Sequence, residues 1–238
     1  MNEEIQLILN AILKIKEDVS LDLDVPIFSF EGLPGAGKST QIIEVVNSLS
    51  ESNRWNAYYV DLPSSSSIGL MLRSLYMNKD GWTEVCNKYP WLNVLFISID
   101  LILNIQKAKE NNADFIIMSR GIISTYYYNL TNFLNYYNNE DMAWSKLNEL
   151  MTIFPIPKSI FIIDVPPEVA YQRVVKRARG ELRPMDHIEN MRLDKVMLNT
   201  IIERLSLSSI VHVIDGDDEK HIVTKRLISL ISGIMYND

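Results

Sequence analysis

Phe30 to Thr40 reads FEGLPGAGKST. Within it, Gly32 to Ser39 fits G-x-x-x-x-G-K-[ST] in full, with a short apolar run (Pro26 to Phe30) before it and a helix-forming stretch (Lys38 to Leu49) after it. The residue types follow from the chemistry of phosphate binding. Gly35 and Gly37 let the backbone turn so that successive N–H groups face inward, and the following helix adds its positive N-terminal dipole. Lys38 supplies a mobile charge for the β- and γ-phosphates, and Ser39 a hydroxyl for Mg²⁺. Gly32, Leu33, Pro34, Gly35, Ala36, Gly37, Lys38, Ser39 and Thr40 are therefore the expected nucleotide-binding residues, with Ser39 the metal ligand.

Working outward, short runs rich in Ile, Val, Phe and Tyr recur at Ala57 to Val60, Phe115 to Met118, Ile160 to Ile163 and Ile210 to Ile214. Helical stretches fall between and after them, at Ile68 to Tyr76, Trp91 to Lys109, Glu168 to Arg177, Ile188 to Leu205 and Glu219 to Ile234. This alternation predicts an α/β fold of the P-loop NTPase type, a three-layer sandwich with a five-stranded parallel sheet and helices on both faces. Ile5, Ile8, Leu9, Ile12 and Leu13 recur at helical spacing, so residues 1–24 read as an extra N-terminal helix. No linker or repeat is evident, and one domain over 1–238 is expected.

The chain has 238 residues, 47% hydrophobic and 22% charged, with a net charge of −7. An acidic balance argues against a broad nucleic-acid surface but not against a small basic pocket. One cysteine, Cys86, excludes an internal disulfide and reads as a packed thiol. No run approaches the ~20 unbroken apolar residues of a bilayer span, and the acidic opening MNEEIQLILN lacks a signal peptide's basic region. The cytoplasm is the expected compartment, with no membrane partner. His187, His212 and His221 show no metal-ligand spacing.

AYQRVVKRARGELRP carries Arg173, Lys176, Arg177 and Arg179, followed by Arg183 just before its final proline. Such a run is commonly a solvated helix face. Its position after the strand ending Asp164-Val-Pro-Pro, and the hinge offered by Gly180, favour a mobile lid over about 178–187. Arginines there would stabilise a phosphoryl group in flight, and closure would exclude water. The strand 115–118 runs into Ser119-Arg120, with serine where many NTPases carry a metal-binding acid, and no N-K-x-D occurs, so a GTPase is not expected.

From about Pro26 onward the chain resembles the thymidylate kinase family of nucleoside monophosphate kinases, through FEGLPGAGKSTQ, LPSSSSIGLMLRSLY, SRGIISTYYYN and DVPPEVAYQRVVKRARGEL. The resemblance implies ATP and Mg²⁺ as donor, a small-molecule phosphoryl acceptor and often a homodimer. It implies catalytic roles for Lys38, Arg120, Arg173, Arg177 and Arg179. It places Asp61, Pro63, Arg73, Phe96, Asp100, Arg120, Ser124 and Tyr128 on the acceptor side.

Three departures bear on the acceptor. Ser119 replaces an acid that the resemblance associates with Mg²⁺ or the attacking oxygen. Asp61 stands where the family carries a phosphate-gripping Arg, and Asp100, four residues after Phe96, stands where it carries a base-reading Arg. A unit of like charge at ~5 Å and an effective dielectric near 20 costs about 3 kcal/mol, or roughly a hundredfold in affinity. The acceptor hollow is thus expected to have reversed sign. Either a nucleoside monophosphate is retained, with Arg73, Arg120 and a lid arginine holding its phosphate and Asp100 meeting an amino group, or the acceptor is a nucleoside or amino-bearing molecule suited to Asp61 and Asp100. An ATP-binding module without transfer chemistry is the rival outside the enzymes.

Overall fold

The computed structural model describes residues 25–52, 54–177 and 182–236, together with Asn10 and Lys14. The expected N-terminal helix, apart from those two residues, and Arg179 with the first part of the expected lid lie outside the described residues.

Five strands, β1 (Ile27–Glu31), β2 (Ala57–Asp61), β3 (Phe115–Ser119), β4 (Ser159–Asp164) and β5 (Val211–Asp215), form one parallel sheet in the order β2-β3-β1-β4-β5. Nine α-helices have both ends among the described residues: α1 (Lys38–Glu51), α2 (Ser67–Met77), α3 (Lys79–Lys88), α4 (Trp91–Glu110), α5 (Ile122–Tyr137), α6 (Glu140–Met151), α7 (Pro167–Arg177), α8 (Ile188–Arg204) and α9 (Lys220–Tyr236).

The strands are short and apolar because the three central ones bury both faces. Alternate residues of each strand feed two cores. Ile27, Ile116, Met118, Ile160 and Ile162 pack with α2, α4, α5 and α6. Phe28, Phe30, Phe115, Ile117, Phe161 and Ile163 pack with α1, α7 and α9. The second core is built around rings: Phe28 meets Phe115 edge-on at 5.3 Å between centroids, and Phe161 lies 5.9 Å from Phe28 and 5.4 Å from Phe30. A fully buried aromatic contributes ~2–3 kcal/mol through burial alone.

Helices α3, α5 and α6 are additions to the sequence reading. Asn139 caps α6 by accepting from the Met142 N–H at 2.9 Å, and Glu140 and Asp141 follow in its first turn, a favourable start for a helix. Helix α4 is long and apolar enough to cross a bilayer, yet Val94, Leu95, Leu101, Ile105 and Ala108 are buried in the first core, which accounts for its composition. Cys86 is buried, and burial pushes its thiol up to about 11, which keeps it protonated at neutral pH.

Candidate active site

The carboxyl ends of the strands open onto one cavity of about 560 Å³, where ligands collect in open α/β sheets. The loop after β1, the ends of β2 and β3, helix α7 and the loop after β5 all line it.

The loop 32–37 is closely packed at Gly32 and Gly35. Gly32, Gly35 and Gly37 sit at φ of +133°, +82° and +105°. A Cβ on Gly35 would lie 2.4 Å from the Ala170 carbonyl oxygen of α7, so the loop rests directly on a helix backbone. Gly37 precedes α1 without a side-chain cap, which leaves the helix's first N–H groups available to an anion. Lys38 is half-buried and folds back, donating from Nζ to the carbonyls of Gly32 (2.8 Å) and Leu33 (2.9 Å). Burial, and next the positive charge of Arg120, lower its pKa from the ordinary lysine range to about 8. Ser39 and Thr40 are exposed and line the cavity.

Arg120 reaches the cavity from a strained backbone, φ +65°, a conformation that costs a non-glycine residue about 1 kcal/mol or more. Glu31 holds it there. This buried carboxylate accepts from the Gly121 N–H at 2.7 Å, the Ser124 N–H at 3.3 Å and the Ser124 hydroxyl at 2.5 Å, tying the end of β1 to the start of α5. The Arg120 guanidinium lies over the Tyr128 ring, 5.9 Å from its centroid. Glu31, within the opening motif, is a site-organising residue that the sequence reading left without a role. Ser124 and Tyr128 face a smaller recess of about 40 Å³ beside the main cavity, shared with Tyr127 and Asp194, where the Tyr127 hydroxyl donates to Asp194.

The expected reversal of charge does not occur. Lys38, Arg73, Arg120, Arg173, Arg177, Arg183 and Lys220 line the main cavity, against two acids, Asp61 and Asp218. Asp61 is at the cavity edge, but its carboxylate lies 3.8 Å from Arg73 on α2, whose Nε also donates to the Pro63 carbonyl at 2.8 Å. Its repulsion toward an anion is offset by that guanidinium.

Asp100 is corrected outright: it is fully buried in α4 and accepts from the Ser64 N–H and hydroxyl and from the Ser66 hydroxyl, so it presents nothing to an acceptor. Phe96 is half-buried and stacks on Trp82 with centroids 6.4 Å apart, and it is not among the residues lining the cavity. Arg173 has a further set of contacts. It lines the cavity, but its guanidinium spans to the Gly216 carbonyl (3.1 Å), the Ala36 carbonyl (3.4 Å) and Asp217 (3.1 Å), bracing the phosphate loop against the loop after β5. Arg177 lines the cavity as expected of a lid-side arginine. Arg183, on the far side of the undescribed stretch, joins it and is steadied by a two-pronged pair with the buried Asp186 at 2.7 and 3.0 Å.

The family model for thymidylate kinase matches residues 30–227, most of the chain. The chain belongs to the thymidylate kinase family. It is a kinase, a phosphotransferase of the nucleoside monophosphate kinase kind. Among relatives of this kinase, a probable thymidylate kinase of Sulfurisphaera tokodaii is 28% identical over 148 residues, covering 62% of this chain and 68% of that one. Thymidylate kinases of a Sulfurihydrogenibium species and of Chlorobaculum tepidum are 30% and 26% identical, covering 61% and 71% of this chain and 69% and 77% of their own. The crystal structure of thymidylate kinase from Ehrlichia chaffeensis superposes with a TM-score of 0.56 at 20% identity, over 87% of this kinase and 98% of that chain. That likeness carries the fold, and it agrees with the five-stranded parallel sheet found here.

Proposed function

We propose that this kinase transfers the γ-phosphate of ATP to a nucleoside monophosphate, and that it grips the acceptor chiefly by its phosphate. The basic lining of the main cavity carries this reading: a triphosphate and a monophosphate bring several negative charges into one space, and while Arg73, Arg173, Arg183 and Lys220 are each paired with an acid, Lys38, Arg120 and Arg177 add their charge to the lining. The amides of the loop from Gly32 onward would cradle the donor phosphates. Lys38 would leave its carbonyls for the β- and γ-phosphates. Mg²⁺, when bound, would neutralise charge between those phosphates, and the exposed Ser39 hydroxyl at the head of α1 fits it as a ligand.

On the acceptor side, Arg73 and Arg120 would hold the monophosphate. An oxygen of that group attacks the γ-phosphorus, the bond from phosphorus to the β,γ-bridging oxygen breaks, and ADP leaves. Arg120, Arg177 and Arg183 would stabilise the equatorial oxygens in flight. With Asp100 withdrawn into α4, base recognition would rest on groups other than the one expected at that position.

A panel of nucleoside monophosphates, nucleosides and aminated sugars tests this by ADP release. Release should depend on the phosphorylated acceptors, and Arg73→Ala should raise the acceptor KM on the order of tenfold or more, as expected on losing a charge-assisted hydrogen bond. Turnover with unphosphorylated acceptors alone, or acceptor-independent release, counts against it.

The depressed pKa of Lys38 gives the donor site a pH dependence. Near pH 8 the free kinase carries this lysine partly neutral, and a triphosphate favours the charged form. Binding therefore takes up protons near pH 8, and ATP affinity falls as pH rises above 8. Calorimetry in two buffers of different ionisation enthalpy at pH 8 reads the uptake directly, and equal heats in both would contradict it.

A further inference from the structure

Asp100 does more than withdraw from the cavity. Its carboxylate accepts from the Ser64 N–H at 2.6 Å, the Ser64 hydroxyl at 2.6 Å, the Ser66 hydroxyl and the Asn104 side-chain amide at 3.2 Å. The directions of these bonds are fixed by their neighbours. The Ser64 oxygen already accepts from the Ser66 N–H (2.9 Å) and from Asn104 (2.8 Å), and the Ser66 oxygen accepts from the Gly69 N–H (3.0 Å) as the cap of α2. Both hydroxyl protons are thus directed at Asp100.

The turn is held tightly enough that a Cβ on Gly69 would fall 2.3 Å from the Ser64 carbonyl oxygen. This turn connects the Asp61 end of β2 to α2, and α2 carries Arg73, whose Nε is bonded to the carbonyl of Pro63, the residue before Ser64. A continuous chain of bonds therefore runs from a carboxylate inside the core to the guanidinium at the cavity edge.

We infer that Asp100 is a positioning residue for the acceptor side: through Ser64 and Ser66 it fixes the turn and the helix start that aim Arg73 into the cavity. The inference rests on the proposed role of Arg73 in gripping an acceptor phosphate. The donor loop is built on β1, α1 and α7 and, among the described residues, has no bond to this network, so the effect should fall on the acceptor.

The test uses the full chain with Asp100→Asn, which keeps the side-chain volume, and Ser64→Ala, which removes one limb of the network should the first variant fold poorly. In Asp100→Asn the amide exchange protection of Ser64 and Gly69 should fall about tenfold or more. The thymidylate KM should rise on the order of tenfold, with any fall in kcat accompanying it, while the ATP dissociation constant stays within about twofold, as for a displaced positioning group. Ser64→Ala should move the same quantities in the same direction. Lost protection with an unmoved KM overturns the inference, and so does a joint loss of KM, kcat and ATP affinity, which would mark general destabilisation. Should the unaltered chain phosphorylate no nucleoside monophosphate, the proposed function fails by itself. Calorimetric binding of inorganic phosphate, compared between Arg73→Ala and Asp100→Asn, then takes the place of KM, and unchanged binding in the Asp100 variant overturns the inference.

Discussion

Replacing Lys38 with alanine is expected to lower turnover by about three orders of magnitude, the scale seen when one preorganised group facing developing charge is removed. The same change should leave the melting temperature within a few degrees of the parent. Lys38 is disfavoured as a cation where it sits, with a pKa lowered to about 8, so at neutral pH its removal relieves a desolvation cost while giving up two bonds to its own loop carbonyls. ADP release with thymidylate as acceptor and a thermal melt measure the two quantities. Retained turnover would mean that the loop assignment is wrong, and an unfolded variant would mean that the lysine's role is structural.

The second large effect concerns Gly35. An alanine there would place its Cβ 2.4 Å from the Ala170 carbonyl oxygen and 2.8 Å from a Val174 methyl, at a φ of +82°. The obstructing oxygen belongs to the backbone of α7 and cannot step aside as a side-chain tip could. Strain and overpacking together should destabilise the protein by about 2–4 kcal/mol and displace the loop from the donor site. Gly37→Ala is the built-in control: at φ +105° it carries backbone strain, but its Cβ would meet nothing within 4 Å. Denaturant unfolding and MgATP affinity should therefore fall further for Gly35→Ala than for Gly37→Ala, and equal losses would show that packing on α7 does not matter.

The sheet was legible in the sequence because each strand is a brief run rich in β-branched and aromatic residues between loops, too short for a helix, and the three central ones are buried on both faces. The phosphate loop was legible because its glycines are demanded by φ and by close approach. Helix α5 was harder. IISTYYYNLTNFLNYY is dense in β-branched and aromatic residues, which favour strands, and tertiary packing overrides that preference. Its spacing did hold the signal, since Ile122, Tyr126, Leu130 and Phe133 recur along one face and are all buried.

The acceptor side was the least legible part. Spacing puts Phe96 and Asp100 on a common stretch of α4, but it does not say what that stretch meets. In the fold, Phe96 meets Trp82 and Asp100 meets the serine turn. A cluster of Ser64 to Ser67 ahead of a helix, with an acid and Asn104 one turn apart on another helix, is a pattern that suits a buried capping network as well as a polar pocket. Nor does the sequence reveal that Arg73 stands against Asp61, because twelve residues and a turn separate them. The sign of the cavity is therefore a property of the fold that single substitutions could not predict.

ATP labelled in its γ-phosphate, incubated with the kinase, Mg²⁺ and thymidylate, tests the central claim most directly. The account predicts label in the nucleoside diphosphate formed from the acceptor, and its disappearance in Lys38→Ala. Label found only in inorganic phosphate, or left wholly in ATP across the nucleoside monophosphates tried, would contradict it.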